Sequence, residues 1–154
     1  HYSRRLAPLQ RDALAVIDAV PQGAWLATLN YAQTPSPHAA PLWLHVGAWA
    51  QVRRGAVLSH SFVRYPYMPV GYRAELASAG LSWDEHEPSR YSLAEPNSAR
   101  FPFLLLHLPP HFDGDPRQLI GGASDPGLRL LARRGDFVLL DATGYFALRR
   151  EPGS

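Results

Sequence analysis

The sequence predicts a single three-layer α/β domain, Rossmann-like but without a dinucleotide motif, whose mostly parallel central sheet carries a C-terminal antiparallel hairpin. Three observations predict it. The stretch 41–62, PLWLHVGAWAQVRRGAVLSHSF, reads as helix, stop and strand with almost no loop between them, as layered α/β chains do. Two further runs, AWLATLNY at 24–31 and FPFLLLHL at 101–108, are apolar on both parities, which fits strands covered on both faces. Finally, 154 residues with 46% hydrophobic and 18% charged side chains suit one domain, 1–154, with a real core, and are too few for two of ordinary size.

Taken in order, Leu6, Leu9, Ala13, Val16, Ile17 and Val20 recur at helical spacing on one face, with Pro21 closing the helix and Gly23 making the turn into the first strand. The proline-rich AQTPSPHAAP reads as a loop. In the helix 41–54, Leu42, His45, Val46, Trp49 and Val52 line one face; Arg53 and Arg54 sit at the carbonyl end of the dipole, and Gly55 supplies a left-handed cap. Val57 and Leu58 then begin a buried strand, and a helix of that length permits a right-handed parallel crossover. From 60 to 100 the chain reads as irregular, rich in Pro, Gly and aromatics. Strand three, 101–108, stops at Pro109-Pro110. Asp125-Pro126 is read as the start of a helix through GLRLLARRGD, with Leu128, Leu131 and Ala132 inward and Gly135 as cap. FVLLDATGYFALRRE is read as a hairpin turning at Thr143-Gly144. No internal repeat is present.

Composition removes several classes of function. The net charge of +2 comes from fifteen arginines and no lysine, scattered or paired rather than gathered into a patch, so no nucleic-acid partner is expected. With no cysteine, disulfides, thiolate nucleophiles and cysteine-based metal sites are excluded. No run reaches the roughly 18–20 apolar residues that cross a bilayer. The opening HYSRRLAPLQ lacks the apolar segment of a signal peptide, and a chain that starts at His1 reads as a piece of something longer.

Candidate chemistry is sparse. Seven histidines raise metal binding, above all His107-Leu-Pro-Pro-His111, but the two prolines prevent the paired helical spacing of zinc motifs, and neither HExxH nor a facial triad occurs. No metal and no cofactor are expected. Trp83-Asp84-Glu85-His86-Glu87 sets carboxylates beside an imidazole, as acid–base work needs, and equally as a solvated loop has them. Ser59-His60-Ser61 follows a strand without a Gly-x-Ser-x-Gly elbow, and Gly121-Gly122 belongs to neither phosphate-loop pattern. More informative are the aromatics Phe62, Tyr65, Tyr67, Tyr72, Trp83 and Tyr91, interleaved with Arg64, Arg73 and Arg90. Aromatic faces stack on sugars or proteins and arginines hold anions, although such residues also anchor a loop to its own domain.

The series VIDAVPQGAWLATL, HVGAWAQVRRGAVLSHSF, RFPFLLLHL and LRLLARRGDFVLLDATGYFALRR resembles the soluble C-terminal domain of bacterial multi-pass membrane proteins of the GT-C glycosyltransferase-like kind. The likeness spans nearly the whole chain. It rests on a helix ending in Pro-x-Gly before strand one, on the His and Arg-Arg-Gly of the second helix, and on the closing Gly-Asp-Phe segment. The resemblance implies membrane helices before His1, a bacterial inner-membrane location, and a domain facing the periplasm or exterior. It also implies that the isolated domain is not the catalyst. It would bind or position a glycan or lipid-linked sugar, with its own transmembrane domain as partner. The surface expected to do so comprises His38, His45, His60, Arg64, Tyr65, Tyr67 and Trp83. The rival expectation is a small stand-alone hydrolase pairing His60 or His107 with Asp84 or Glu87; a purely structural interaction module is a third.

Overall fold

A computed structural model describes residues 2–32, 46–60, 81, 83 and 87–150. Within them the elements run α1 (Tyr2–Ile17), β1 (Trp25–Asn30), α2 (Gly47–Arg54), β2 (Val57–Leu58), β3 (Phe103–His107), β4 (Arg129–Arg134), β5 (Phe137–Asp141) and α3 (Thr143–Arg150), with short 3₁₀ turns at Pro88–Arg90, Pro96–Arg100 and Pro116–Ile120. The strands form one sheet in the order β2-β1-β3-β5-β4. β2, β1 and β3 run parallel at one end, whereas β5 is antiparallel to both β3 and β4 at the other. The domain is therefore a mixed α/β fold, with strands one to three parallel as the apolar runs imply.

Both faces of the central strands β1, β3 and β5 are buried. Leu26, Leu105, Phe137 and Leu139 meet Ala13, Val16 and Ile17 of α1, Val20 just beyond it, and Ala50 of α2. From the opposite face Ala27, Leu29, Leu104, Leu106, Val138 and Leu140 meet Trp83, Tyr91, Phe101, Ile120, Leu128, Tyr145 and Phe146. Strands with alternate residues in two cores have no polar parity, which is why their sequences read as continuous apolar runs.

The turns before β1 and after α2 are tied to each other. Gly23 has φ +69 and Gly55 φ +59, both left-handed as expected. Gly55 ends α2 by returning its N–H to Gln51 O at 3.0 Å, while Gly23 N–H reaches Arg54 O at 2.8 Å. Arg54 Nε donates to Val20 O at 2.6 Å, and Arg53 grips the Asp18 carboxylate with two hydrogen bonds. The arginine pair thus holds the end of α2 against the end of α1 as well as meeting its own helix dipole.

Three expectations are corrected. The buried face of α2 is Gly47 and Ala50; Trp49 and Val52 are 47% and 78% exposed. Gly47 sits so close to β1 that an added Cβ would lie 2.4 Å from Thr28 Cγ2, so the small side of the helix meets the sheet and the large residues turn outward. Leu42 and His45 lie outside the described residues, as does the side chain of Leu6. Second, RLLARR of GLRLLARRGD is the strand β4, not a helix, and Leu130 and Leu131 are exposed on this edge. Third, the hairpin turns at Gly135 (φ +51), between β4 and β5, while Thr143 begins α3. A left-handed glycine serves a helix cap and a hairpin alike, so Gly135 fits both readings. Gly127 is needed for close approach to α3: its added Cβ would lie 2.4 Å from Tyr145 N.

Candidate functional site

The connections of the sheet diverge between β1 and β3. β1 leads through α2 to β2 on one side, and β3 leads to the β4–β5 hairpin on the other. In open α/β sheets the carboxyl ends of strands flanking such a switch point are where ligands are received. Here those ends carry Asn30 on β1, Ser59 and His60 after β2, and His107 on β3.

Asn30 and His107 are register partners across the β1–β3 ladder, and the register continues through Phe137 on β5 to Arg134 on β4. Both polar residues are 7% exposed. The His107 ring stacks on Phe137 with centroids 4.4 Å apart and planes 9° apart. Burial pushes its pKa down from 6.5 to about 4, so the imidazole is neutral in neutral solution. Its Nδ1 has no hydrogen-bond partner among the described residues. The Asn30 side-chain oxygen accepts from Ala32 N–H at 3.2 Å, and the backbone ladder continues past it as Tyr31 N–H donates to His107 O at 2.8 Å.

His60 is held differently. Its Nε2 lies 3.0 Å from Trp83 O, and a carbonyl can only accept, so Nε2 carries the proton and Nδ1 accepts from the Ser59 hydroxyl at 3.1 Å. The Ser59 oxygen in turn accepts from Thr28 N–H at 3.2 Å. This is the hydrogen-bond order of a nucleophile and its base, yet Ser59 is fully buried. The pair clamps Trp83 to the end of β2.

Trp83 itself is buried, edge-on to Tyr91 at 5.1 Å, Phe101 at 6.3 Å and His60 at 6.0 Å. Its Nε1 and the Tyr91 hydroxyl have no partner among the described residues. Tyr31 crosses the same face, its hydroxyl shared between Pro88 O at 3.2 Å and Leu119 O at 3.1 Å, and burial pushes its pKa up to about 12. Of the residues expected to form a surface, His60 and Trp83 are thus brought together; His38, His45, Arg64, Tyr65 and Tyr67 lie outside the described residues, as do Asp84, Glu85 and His86. Glu87 pairs with Arg90 at 3.0 Å. His107 belongs to the opposite face, against Phe137, and His111 is exposed with φ +64. Among the described residues no cluster of three His, Asp or Glu could hold a metal.

An open depression of about 620 Å³ lies over residues 121–126 and Gln118. Its glycines do not cradle an anion, because Gly121 N–H is taken by Gln118 O and Gly122 N–H by Arg117 O. At the far end of the sheet Asp141 is buried and pairs with Arg129 at 2.5 Å. Burial alone would raise its carboxyl, but hydrogen bonds from Thr143 and Arg129 outweigh that and hold it below the usual carboxylate range.

Sequence reasoning missed Asn30 as a site residue and set His107 aside as a metal candidate. The signal was present: each parallel strand is an apolar run that ends in a polar side chain, Asn30, Ser59 and His107. No protein-family model, curated protein or solved structure matches the chain.

Proposed function

We propose that this chain is a non-catalytic accessory domain of a glycosyltransferase-like membrane protein, binding or positioning a glycan or lipid-linked sugar at the carboxyl end of its parallel strands. The observation that carries this reading is the switch point between β1 and β3, where Asn30 and His107 are buried side by side and His107 Nδ1 has no partner among the described residues. The partner on this reading is the protein's own transmembrane domain in a bacterial inner membrane, with the domain on the periplasmic or exterior side. None of the described helices is long and apolar enough to cross a membrane, so the anchor would lie in other segments. In its finer form the fold is three-layered: α1 and α2 cover one face, and α3 with the irregular chain covers the other, in keeping with the two cores. The coding sequence upstream of His1 tests the proposal. Several segments long enough to span a bilayer are expected, and their absence would contradict it.

The Ser59-His60 pair favours a second reading, a small hydrolase. That reading requires Ser59 to be reachable. Incubation with a fluorophosphonate followed by mass spectrometry separates the two: the accessory domain leaves Ser59 unlabelled, and a hydrolase modifies it.

A further inference from the structure

We propose that Asn30 and His107 together form a subsite for an uncharged hydroxyl-bearing ligand, a sugar ring or polyol, between the carboxyl ends of β1 and β3. The inference rests on reading that end as the binding face and adds the residues and the ligand chemistry.

Being register partners on adjacent parallel strands, the two residues project from the same face of the sheet at a separation of about 5 Å. A single hydroxyl or a vicinal pair spans that distance. Both side chains are more than nine-tenths buried, and on His107 a ring nitrogen is left unmatched. The Asn30 oxygen accepts from Ala32 N–H, and the amide NH2 is the donor end of the group. The His107 Nδ1 has no partner among the described residues. A buried polar atom left unmatched costs stability, and a fold that retains one beside a buried amide at a strand end has a use for it.

The hydroxyl group is the partner that fits both. It accepts from the Asn30 amide and donates to an imidazole nitrogen at once, and it tolerates either neutral tautomer of the ring. An anion is served less well. Burial keeps His107 neutral, and Phe137 stacked against it offers no charge. The next cation along the row, Arg134, stands two strands beyond His107, about 10 Å away. A metal ion would find a single imidazole and the donor end of an amide. Phe137 also shields one face of the imidazole from water, which strengthens a hydrogen bond made by the ring.

The test is an NMR titration of the isotope-labelled chain, following the Asn30 side-chain amide and the His107 imidazole as glucose, N-acetylglucosamine, glycerol or inorganic phosphate is added to millimolar concentration. Both side chains are expected to shift with at least one of the sugars or glycerol and not with phosphate. In Asn30→Ala and in His107→Phe, which keeps a ring stacked on Phe137, the response should weaken about tenfold. The absence of any sugar or polyol response at these two side chains, or a response to phosphate alone, overturns the subsite. If sugars instead shift the amides around Trp83 and Arg90, the subsite falls while the binding reading stands. An upstream sequence without membrane spans sinks the accessory-domain reading and leaves the subsite intact.

Discussion

At the antiparallel end of the sheet Asp141 is 3% exposed and fully engaged, accepting from Arg129 Nη2 at 2.5 Å, Thr143 N–H at 2.8 Å and Thr143 Oγ1 at 2.6 Å. At the parallel end His107 is almost as buried and its Nδ1 is unmatched, as is the hydroxyl of Thr28 on β1. The other two unmatched buried side-chain atoms among the described residues, Trp83 Nε1 and Tyr91 Oη, lie in the irregular chain packed on that sheet; none is on β4 or β5. The contrast separates two uses of a buried polar group. One closes a structural joint, here the start of α3 on the end of β5. The other is retained at a cost where strand ends converge, and such uncompensated positions are where binding is to be sought.

The comparison breaks most visibly through Asp141. Replacing it by Ala removes the cap of α3 and the Arg129 pair together, and should lower stability in urea unfolding by about 2–3 kcal/mol. The loss falls below that of a pair buried on both sides because Arg129 is largely exposed and can return to water. The carboxyl is held below its ordinary range, so its contribution is present above that range and is lost as pH falls through the folded pKa. A smaller effect is expected from Gly47→Ala, whose methyl would collide with the buried Thr28 at the parallel end. Overpacking of this kind costs about 2 kcal/mol, with α2 shifting outward; thermal unfolding measures it. Smallest and opposite in sign is His107→Leu. Removing an unmatched buried polar ring for an apolar side chain should leave stability unchanged or raise it by about 1 kcal/mol in urea unfolding at neutral pH. A large destabilisation there would mean that His107 is a structural joint like Asp141.

What could be read from the chain followed from how much of the physics was local. The parallel strands were legible because residues buried on both faces leave continuous apolar runs, and Gly55 because a left-handed cap depends on its own φ. β4 was misread because Leu128, Leu131 and Ala132 have helical spacing by coincidence; the antiparallel pairing of residues 129–134 with β5 across the Gly135 turn is a cross-strand contact that spacing within the segment does not encode. Likewise, that Gly47 rather than Trp49 faces the sheet depends on how near α2 comes to Thr28. The site was legible only in part. Asn30 and His107 each end an apolar run, but their adjacency is a property of the β1–β3 register, and they lie 77 positions apart in the chain.

The most direct test of the uncompensated parallel end is the titration of the His107 imidazole in the folded domain, followed by NMR as pH is lowered. The midpoint should lie near pH 4. Because the unfolded chain takes up its proton near pH 6.5 and the native chain only near pH 4, stability should fall between those values, by about 3 kcal/mol in all. In His107→Leu that fall should vanish. A midpoint at 6.5 or above would mean that the ring is solvated or partnered, and would contradict the account.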